Sequence, residues 1–97
     1  MKKGIELIAQ ERQRQIEVEG WTPEHDSQHI DNSIAKAAAC YATPADDRNM
    51  GNWPEGVFPA LWPWDLKWWK PTPENRIKEL QKAGALIAAE IDRLNAL

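Results

Sequence analysis

The sequence has almost no cysteine, with a single residue, Cys40, among 97. One cysteine leaves no partner for a disulfide within the chain, which favours a reducing compartment such as the cytoplasm. The chain also has no apolar run close to the roughly 20 residues that span a bilayer, so we expect no membrane partner. Its N-terminal stretch becomes charged too early for the apolar core of a secretory signal.

Positive charge is also scarce, since 12 lysines and arginines stand against 15 acidic residues and give a net charge of −3. A general binder of duplex DNA needs a basic stripe that releases phosphate counterions, so this composition argues against duplex DNA as a partner. The hydrophobic fraction of 42% and the charged fraction of 28% are ordinary for a folded protein. The length predicts one small domain, residues 1–97.

Tryptophan and proline, in contrast, are abundant and concentrated in one segment, residues 53–73, which we call the aromatic strap. It holds five of the six tryptophans, the only phenylalanine and five of the seven prolines. Proline fixes φ and removes a backbone donor, so the strap is predicted to be irregular rather than a long helix or a central strand. Large aromatic side chains dominate small cores. We expect Trp62, Phe58 and Leu61 in the core.

The hydrophobic spacing before the strap predicts a first helix over residues 4–19. Apolar side chains recur on one face of this helix, and Arg12 lies in the middle of their row. The apolar face consists of Ile5, Ile8, Ala9 and Ile16. Gly20 is expected to end the helix, since glycine adopts the left-handed conformation that follows many helices.

A second, alanine-rich helix is predicted over residues 33–42, with Asp31 or Asn32 as its N-cap. Almost all of its side chains are small, so the backbone of another helix can approach closely. The obvious neighbour is the last helix, whose middle, residues 83–89, is also rich in alanine.

The last helix is predicted to be the longest, running from about Pro73 nearly to the C-terminus. Thr72 suits its N-cap, Pro73 its first position and Glu74 its first turn. Its apolar residues follow a heptad seam, which consists of Ile77, Leu80, Gly84, Ile87, Ile91 and Leu94. Such a seam is more than one short helix can cover, so we expect a homo-oligomer, most simply a two-fold dimer.

These elements predict an all-α fold, because no segment has the pattern of a strand. The expected architecture is a small helical domain with a long C-terminal helix, an alanine-rich second helix and the irregular aromatic strap between them.

Five segments, ERQRQIEVEGWTPEHD, AAACYA, WPW, WWKP and KAGALIAAEIDRL, resemble a family of small proteins encoded in bacteriophages and prophages. The resemblance covers most of the chain and implies a phage origin and the host-cell cytoplasm as the setting. It carries no activity with it. The family has Gly-Glu-Leu before the alanine-rich segment, where this chain has Asn32, Ser33 and Ile34 and therefore lacks a carboxylate.

The sharpest polar cluster consists of His25, Asp26 and His29. On a helical turn the two histidines share a face at i and i+4, the spacing of helical zinc ligands. A metal would need a third ligand, for which Glu11, Asp31 and Cys40 are the candidates. The alternative is a hydrogen-bonded capping cluster in which Asp26 orients a histidine.

The acidic residues of the helices suggest a magnesium enzyme, since all-α nucleoside triphosphate pyrophosphohydrolases hold this ion with paired helical carboxylates. Here the acids lack the required spacing, because Glu90 and Asp92 are two residues apart and point about 200° away from each other. Solvated helix faces explain these acids more simply. Cys40 is interpreted as a small buried thiol rather than a nucleophile.

The strap offers a third kind of site, because it places flat aromatic rings beside cations. The predicted ligand-binding residues are Trp64, Lys67, Trp68, Trp69, Lys70 and Arg76. Aromatic rings stack on bases and cations neutralise phosphates.

The sequence therefore favours a non-enzymatic phage protein that needs no cofactor. It would sequester a nucleotide-like, anionic ligand and so counter a host defence that signals with small nucleotides. One alternative is an inhibitor that binds a host enzyme through its tryptophan-rich surface. The other is the metal-dependent enzyme.

Overall fold

The computed structural model describes residues 2–22, 31–53 and 56–96. The regular structure of these residues comprises three α-helices and one two-stranded antiparallel hairpin. In chain order the elements are α1 (Gly4–Glu17), α2 (Ser33–Ala42), β1 (Met50–Trp53), β2 (Gly56–Pro59) and α3 (Arg76–Asn95). Short 3₁₀ turns lie on either side of the hairpin, at Ala45–Asp47 and Leu66–Trp68.

The hairpin shows that the predicted all-α fold is wrong, although the molecule is mostly helical. Met50 lies opposite Pro59, and Trp53 lies opposite Gly56. Both strands of a two-stranded hairpin are edges, so the missing N–H of Pro59 is tolerated at the end of β2. Gly56 has a φ of +140°, and the side chain of Leu66 would lie 2.7 Å from a Cβ there. The strand sequences, MGNW and GVFP, lack the regular alternation of apolar and polar residues that identifies a strand from sequence.

The close contact between α2 and α3 is confirmed, and it forms the centre of the core. Ala37 and Ala38 of α2 are buried with Ala83 and Ala89 of α3. Methyl-sized side chains bring the two backbones together, and larger ones such as Leu86 fill the space beside them.

The buried face of α1 differs from the predicted one. Ile5 and Ala9 are exposed, whereas Glu11, Arg12 and Gln15 are buried. Polar side chains are buried at low cost only when they find partners. Glu11 accepts from Arg14 and from Nε2 of Gln15, and Arg12 donates to the carbonyl of Trp21. Ile8 and Ile16, the other two residues of the predicted face, are half-buried.

The end of α1 folds back on the helix. The helix ends at Glu17 rather than at residue 19, and Gly20 is left-handed with a φ of +75°. The backbone N–H of Trp21 then donates to the carbonyl of Gln15 at 3.0 Å, and Nη1 of Arg12 donates to the carbonyl of Trp21 at 3.0 Å. Burial of Arg12 is therefore explained by its role in holding this turn.

The start of α3 is later than predicted, because Asn75 rather than Thr72 is the N-cap. Oδ1 of Asn75 accepts from the backbone N–H of Lys78 at 3.2 Å. Thr72 instead donates its backbone N–H to the carboxylate of Glu79 at 3.1 Å. The last helix remains the longest of the described elements, as predicted. None of the described helices combines the length and the apolar character needed to cross a membrane.

The heptad seam of α3 does not face the core of the chain. Its five large side chains, Ile77, Leu80, Ile87, Ile91 and Leu94, are all exposed. The buried stripe lies one residue earlier, which is about 100° around the helix, and contains Glu79, Ala83, Leu86, Ala89 and Arg93. The alanines allow the closer approach to α2, and the charged residues of the stripe have partners. These two conditions outweigh the larger apolar area of the seam.

The predicted core of the strap is correct in two of three residues. Trp62 is buried, and Phe58 packs against the core cluster. Leu61 is 49% exposed, so its assignment to the core was wrong. Leu61 lies in the turn that follows β2. The next residue, Trp62, is the buried one, and its Nε1 donates to the carbonyl of Asp65 at 3.2 Å.

Gly84 is the point at which α1 crosses α3. A Cβ on Gly84 would lie 2.5 Å from Cδ1 and 2.7 Å from Cγ1 of Ile8. We predict that Gly84→Ala lowers the free energy of unfolding by about 1–3 kcal/mol, because overpacking outweighs the better helix propensity of alanine. Urea denaturation measures this change.

Ile8→Val removes Cδ1 and is expected to restore part of that loss in the double variant. Gly4→Ala is the control, because nothing lies within 4 Å of a Cβ at Gly4. A Gly84→Ala variant more stable than the parent would show that α1 does not approach α3 as closely as described.

Candidate functional site

Two arginines donate hydrogen bonds to the backbone carbonyls at the C-terminal end of α2, and both form ion pairs with one buried carboxylate. Nε of Arg48 donates to the carbonyl of Cys40 at 2.9 Å, and Nη1 of Arg76 donates to that of Tyr41 at 2.9 Å. Glu79, completely buried, forms ion pairs with Arg48 at 3.1 Å and Arg76 at 3.3 Å. The structure thus places Arg76 at the end of α2, where it donates to a backbone carbonyl.

Aromatic rings form a continuous series from the core to the surface. Trp69 lies 4.9 Å from Tyr41 and 5.0 Å from Trp62 between ring centroids, and Trp62 lies 5.5 Å from Trp64. Such distances are typical of tilted and edge-to-face aromatic pairs. Trp21 continues the series, 6.2 Å from Trp64.

Trp68 is the outermost ring of the series. It lies 6.4 Å from Trp21 and is 36% exposed. The amines of Lys67 and Lys70 lie 5.5 and 5.7 Å from its centroid, within the range of cation–π attraction. Trp64 and Trp69 pack against the core instead. The three candidate tryptophans therefore have different positions, and Trp68 is the most exposed of them.

A cleft of about 340 Å³ opens beside Trp68, between α1 and α3. This volume lies near the lower end of the range for small-molecule sites. Its lining combines aromatic, cationic and acidic side chains from every helix and from the strap, namely Glu11, Arg14, Gln15, Glu19, Trp21, Tyr41, Trp68, Lys70, Lys78, Lys82 and Leu86.

Three lysines supply most of the positive charge of the cleft. Lys78 and Lys82 are one helical turn apart on α3, and Lys70 comes from the strap. Nζ of Lys82 donates to the carbonyl of Lys70 at 2.6 Å and lies 5.5 Å from the Tyr41 ring. Burial, followed by repulsion from Lys78, holds the pKa of Lys82 below its usual value. An anion bound here would relieve that repulsion.

Arg14 forms ion pairs with the two acids of the cleft. Its guanidinium binds both oxygens of Glu11 at 2.8 Å and contacts Glu19 at 3.1 Å. Burial raises the pKa of Glu11, but the hydrogen bonds and charge of Arg14, with a hydrogen bond from Gln15, outweigh it and hold the pKa below the usual value. Glu11 is therefore a carboxylate at neutral pH.

Tyr41 ties the strap to α2 through its hydroxyl. The oxygen accepts from the backbone N–H of Lys70 at 3.1 Å, and the hydroxyl donates to the carbonyl of Trp68 at 3.4 Å. Burial raises the pKa of Tyr41 to about 12, against the opposing effects of the Lys70 hydrogen bond and the charge of Arg48. Two lining residues of the strap, Trp68 and Lys70, are thereby fixed relative to the helices.

Of the residues predicted from sequence, the cleft brings together Trp68 and Lys70. Lys67 approaches the Trp68 ring from outside the lining, whereas Trp64, Trp69 and Arg76 are used in packing and helix capping.

Sequence analysis missed most of the remaining lining. The available signals were the spacing of four residues between Lys78 and Lys82 and between Glu11 and Gln15, which places each pair on one helix face. Neither spacing shows that the two faces meet across a cleft.

The candidate metal ligands His25, Asp26 and His29 lie outside the described residues. Within the part of the chain that is described, no group of three or more His, Cys, Asp or Glu side chains is placed to hold a metal ion. Glu79 pairs with Arg48 and Arg76, and Glu90 pairs with Arg93. Cys40 is buried, and burial raises the pKa of its thiol.

The raised pKa of Tyr41 gives a testable dependence on pH. A tyrosine with a raised folded-state pKa contributes stability that is present below pH 10 and lost as the pH rises towards 12. Because Tyr41 is the only tyrosine, phenolate absorbance reports it alone. We predict a midpoint near 12 in the native protein and near 10 in urea.

Circular dichroism recorded on the same samples shows whether the fold persists, and Tyr41→Phe should give no phenolate signal. A native midpoint near 10 would contradict the buried, hydrogen-bonded hydroxyl.

Comparison with protein-family models, with curated proteins and with solved structures finds no match to this chain. A function is therefore proposed from the residues of the cleft and from the motifs of the sequence.

Proposed function

We propose that the protein is a non-enzymatic binding protein whose cleft holds a nucleotide-like, anionic ligand. The observation that carries the proposal is the meeting of an exposed tryptophan, Trp68, with three lysines in one cleft. The sequence resemblance adds a phage origin and the host-cell cytoplasm. Binding alone removes a host signalling nucleotide from solution, so this role needs no chemical step.

The charge of the cleft supports an anion. Four cationic and two acidic side chains line it, so its formal charge is +2, whereas the whole chain carries −3. Arg14 is paired with both acids. The lysines therefore provide the charge that a phosphate can use, and each ammonium group offers three donors.

The exposed ring of Trp68 favours a ligand in which a flat aromatic group is attached to that anion. Stacking on an exposed aromatic ring is tolerant of base identity and is strengthened by nearby cations. Trp68 has two such cations close to its ring, Lys67 and Lys70, and the ring of Trp21 contacts it in an edge-to-face arrangement. A nucleotide whose base is stacked there would have its phosphate close to the lysines of the cleft.

The exposed seam of α3 supports a second copy of this chain as a further partner. The large seam residues lie in one row on a 20-residue helix, on either side of Gly84, where α1 crosses. An antiparallel pair of α3 helices around a two-fold axis would cover the part of each row beyond that crossing, which contains Ile87, Ile91 and Leu94. We therefore propose a homodimer. A host protein bound to the same row is the alternative.

We predict that Trp68→Ala weakens nucleotide binding by roughly ten- to a hundred-fold, since stacking is worth about 1–3 kcal/mol per base. The fold should be spared, because Trp68 lies at the surface. Trp62→Ala, in contrast, should cost about 3–5 kcal/mol of stability. Calorimetric titration with mono-, di- and cyclic nucleotides, together with thermal melting, measures both effects.

Lys82→Ala should also weaken binding, and the loss should shrink in high salt. Lys36→Ala is the matched control, because Lys36 is an exposed lysine of α2 outside the cleft. If the parent protein binds no nucleotide, or if Trp68→Ala binds as the parent does, the proposed function is wrong.

For assembly, we predict a dimer at micromolar concentration that the double substitution Ile87→Glu and Ile91→Glu converts to a monomer. The reason is that buried, unpaired carboxylates are costly in an apolar interface. Light scattering gives the mass. Val57→Glu, at an exposed apolar position of the hairpin, should leave the dimer intact. A monomeric parent protein at high micromolar concentration would rule out the two-fold pair.

A further inference from the structure

The floor of the cleft contains a hydrogen-bond acceptor without a partner. Gln15 lines the cleft and is only 1% exposed. Its Nε2 donates to Oε2 of Glu11 at 3.2 Å, which fixes the orientation of the amide. Its Oε1 is buried and accepts no hydrogen bond from the described residues. A buried acceptor left in this state costs free energy that a donor would recover.

Glu11 lies beside Gln15 on the preceding turn of α1 and offers acceptors only. Its carboxylate is anionic, for the reasons given above, and Arg14 and Gln15 occupy part of its lone pairs. A carboxylate has about four acceptor sites, so Glu11 retains capacity for another donor. The floor thus accepts hydrogen bonds, whereas the lysines of the lining donate them.

We propose that this floor selects a guanine base, an inference that rests on the proposed binding of a nucleotide-like ligand. The Watson–Crick edge of guanine presents two adjacent donors, the N1–H and the 2-amino group, which match Gln15 Oε1 and the Glu11 carboxylate. Adenine presents an acceptor, N1, beside its amino group, and this lone pair would meet the acceptors of the floor. Hypoxanthine retains the N1–H but lacks the 2-amino group.

The rest of the cleft suits the remainder of a guanine nucleotide. A base held at the floor has an aromatic face available on Trp68 or Trp21, and its phosphate is directed towards Lys70, Lys78 and Lys82. Sites built to hydrogen-bond a ligand discriminate strongly against analogues that lack the matching group, because their own polar groups then remain unpaired.

The test compares GMP, IMP and AMP by calorimetric titration against the parent protein and Gln15→Met. Methionine has the length of glutamine but no amide, so it removes the acceptor while filling the space. Gln13→Met is the matched control, because Gln13 is exposed on the same helix and bonds to Glu17 away from the cleft. We expect the parent protein to bind GMP at least tenfold more tightly than IMP or AMP.

In Gln15→Met the affinity for GMP should fall about tenfold and the preference over AMP should shrink by the same factor, whereas Gln13→Met should behave as the parent. If the parent binds all three nucleotides equally, or if Gln15→Met keeps the full preference of the parent, the selection of guanine by this floor is overturned and nucleotide binding stands. If the parent binds none of them, the proposed function itself fails. Thermal melting shows whether Gln15→Met is folded, and should it unfold, the GMP-to-IMP ratio of the parent protein still decides.

Discussion

The buried carboxylate of Glu79 is the constraint on which the rest of the structure depends. It lies between Arg48 and Arg76, 3.1 and 3.3 Å away, and also accepts the backbone N–H of Thr72. A charge removed from water to this extent is tolerated only with partners that satisfy it. The two arginines in turn satisfy carbonyl groups at the end of α2, which the helix leaves without partners. One carboxylate thus fixes α2, the segment that follows it, the end of the strap and the rotation of α3.

The candidate site follows from that arrangement. With Glu79 facing inward, the lysines one residue before it and three residues after it, Lys78 and Lys82, lie along the edge that α1 approaches. Burial of the polar face of α1 then places Glu11 and Gln15 opposite them. The hydroxyl of Tyr41 holds the strap against this edge. The cleft therefore combines residues from four segments, and its combination of acceptors from α1 with lysines from α3 and the strap arises only when those segments meet.

Part of the fold was visible in the sequence, because it depends on local spacing and residue size. The alanines of α2 and of α3 predicted their close contact, and Trp62 was placed correctly in the core. The errors share a cause. The face of α1 was inferred from apolar periodicity, and the start of α3 was inferred from a local capping signal at Thr72. Each was decided instead by buried polar groups whose partners are distant in the chain, such as Arg12 with Trp21 and Glu79 with Arg48.

What the sequence determined by itself is the inventory: a long last helix, a small-residue helix contact, a rigid aromatic segment and basic residues beside its tryptophans. Helix propensity, capping and side-chain volume are properties of neighbouring residues, so a single chain expresses them directly. Only the tertiary structure decided which tryptophan is exposed, which lysines share a cleft, and that Gln15 lines it with an oxygen that has no partner among the described residues. Those features depend on the rotation of each helix, and that rotation is set by ion pairs and hydrogen bonds between segments that are far apart in sequence.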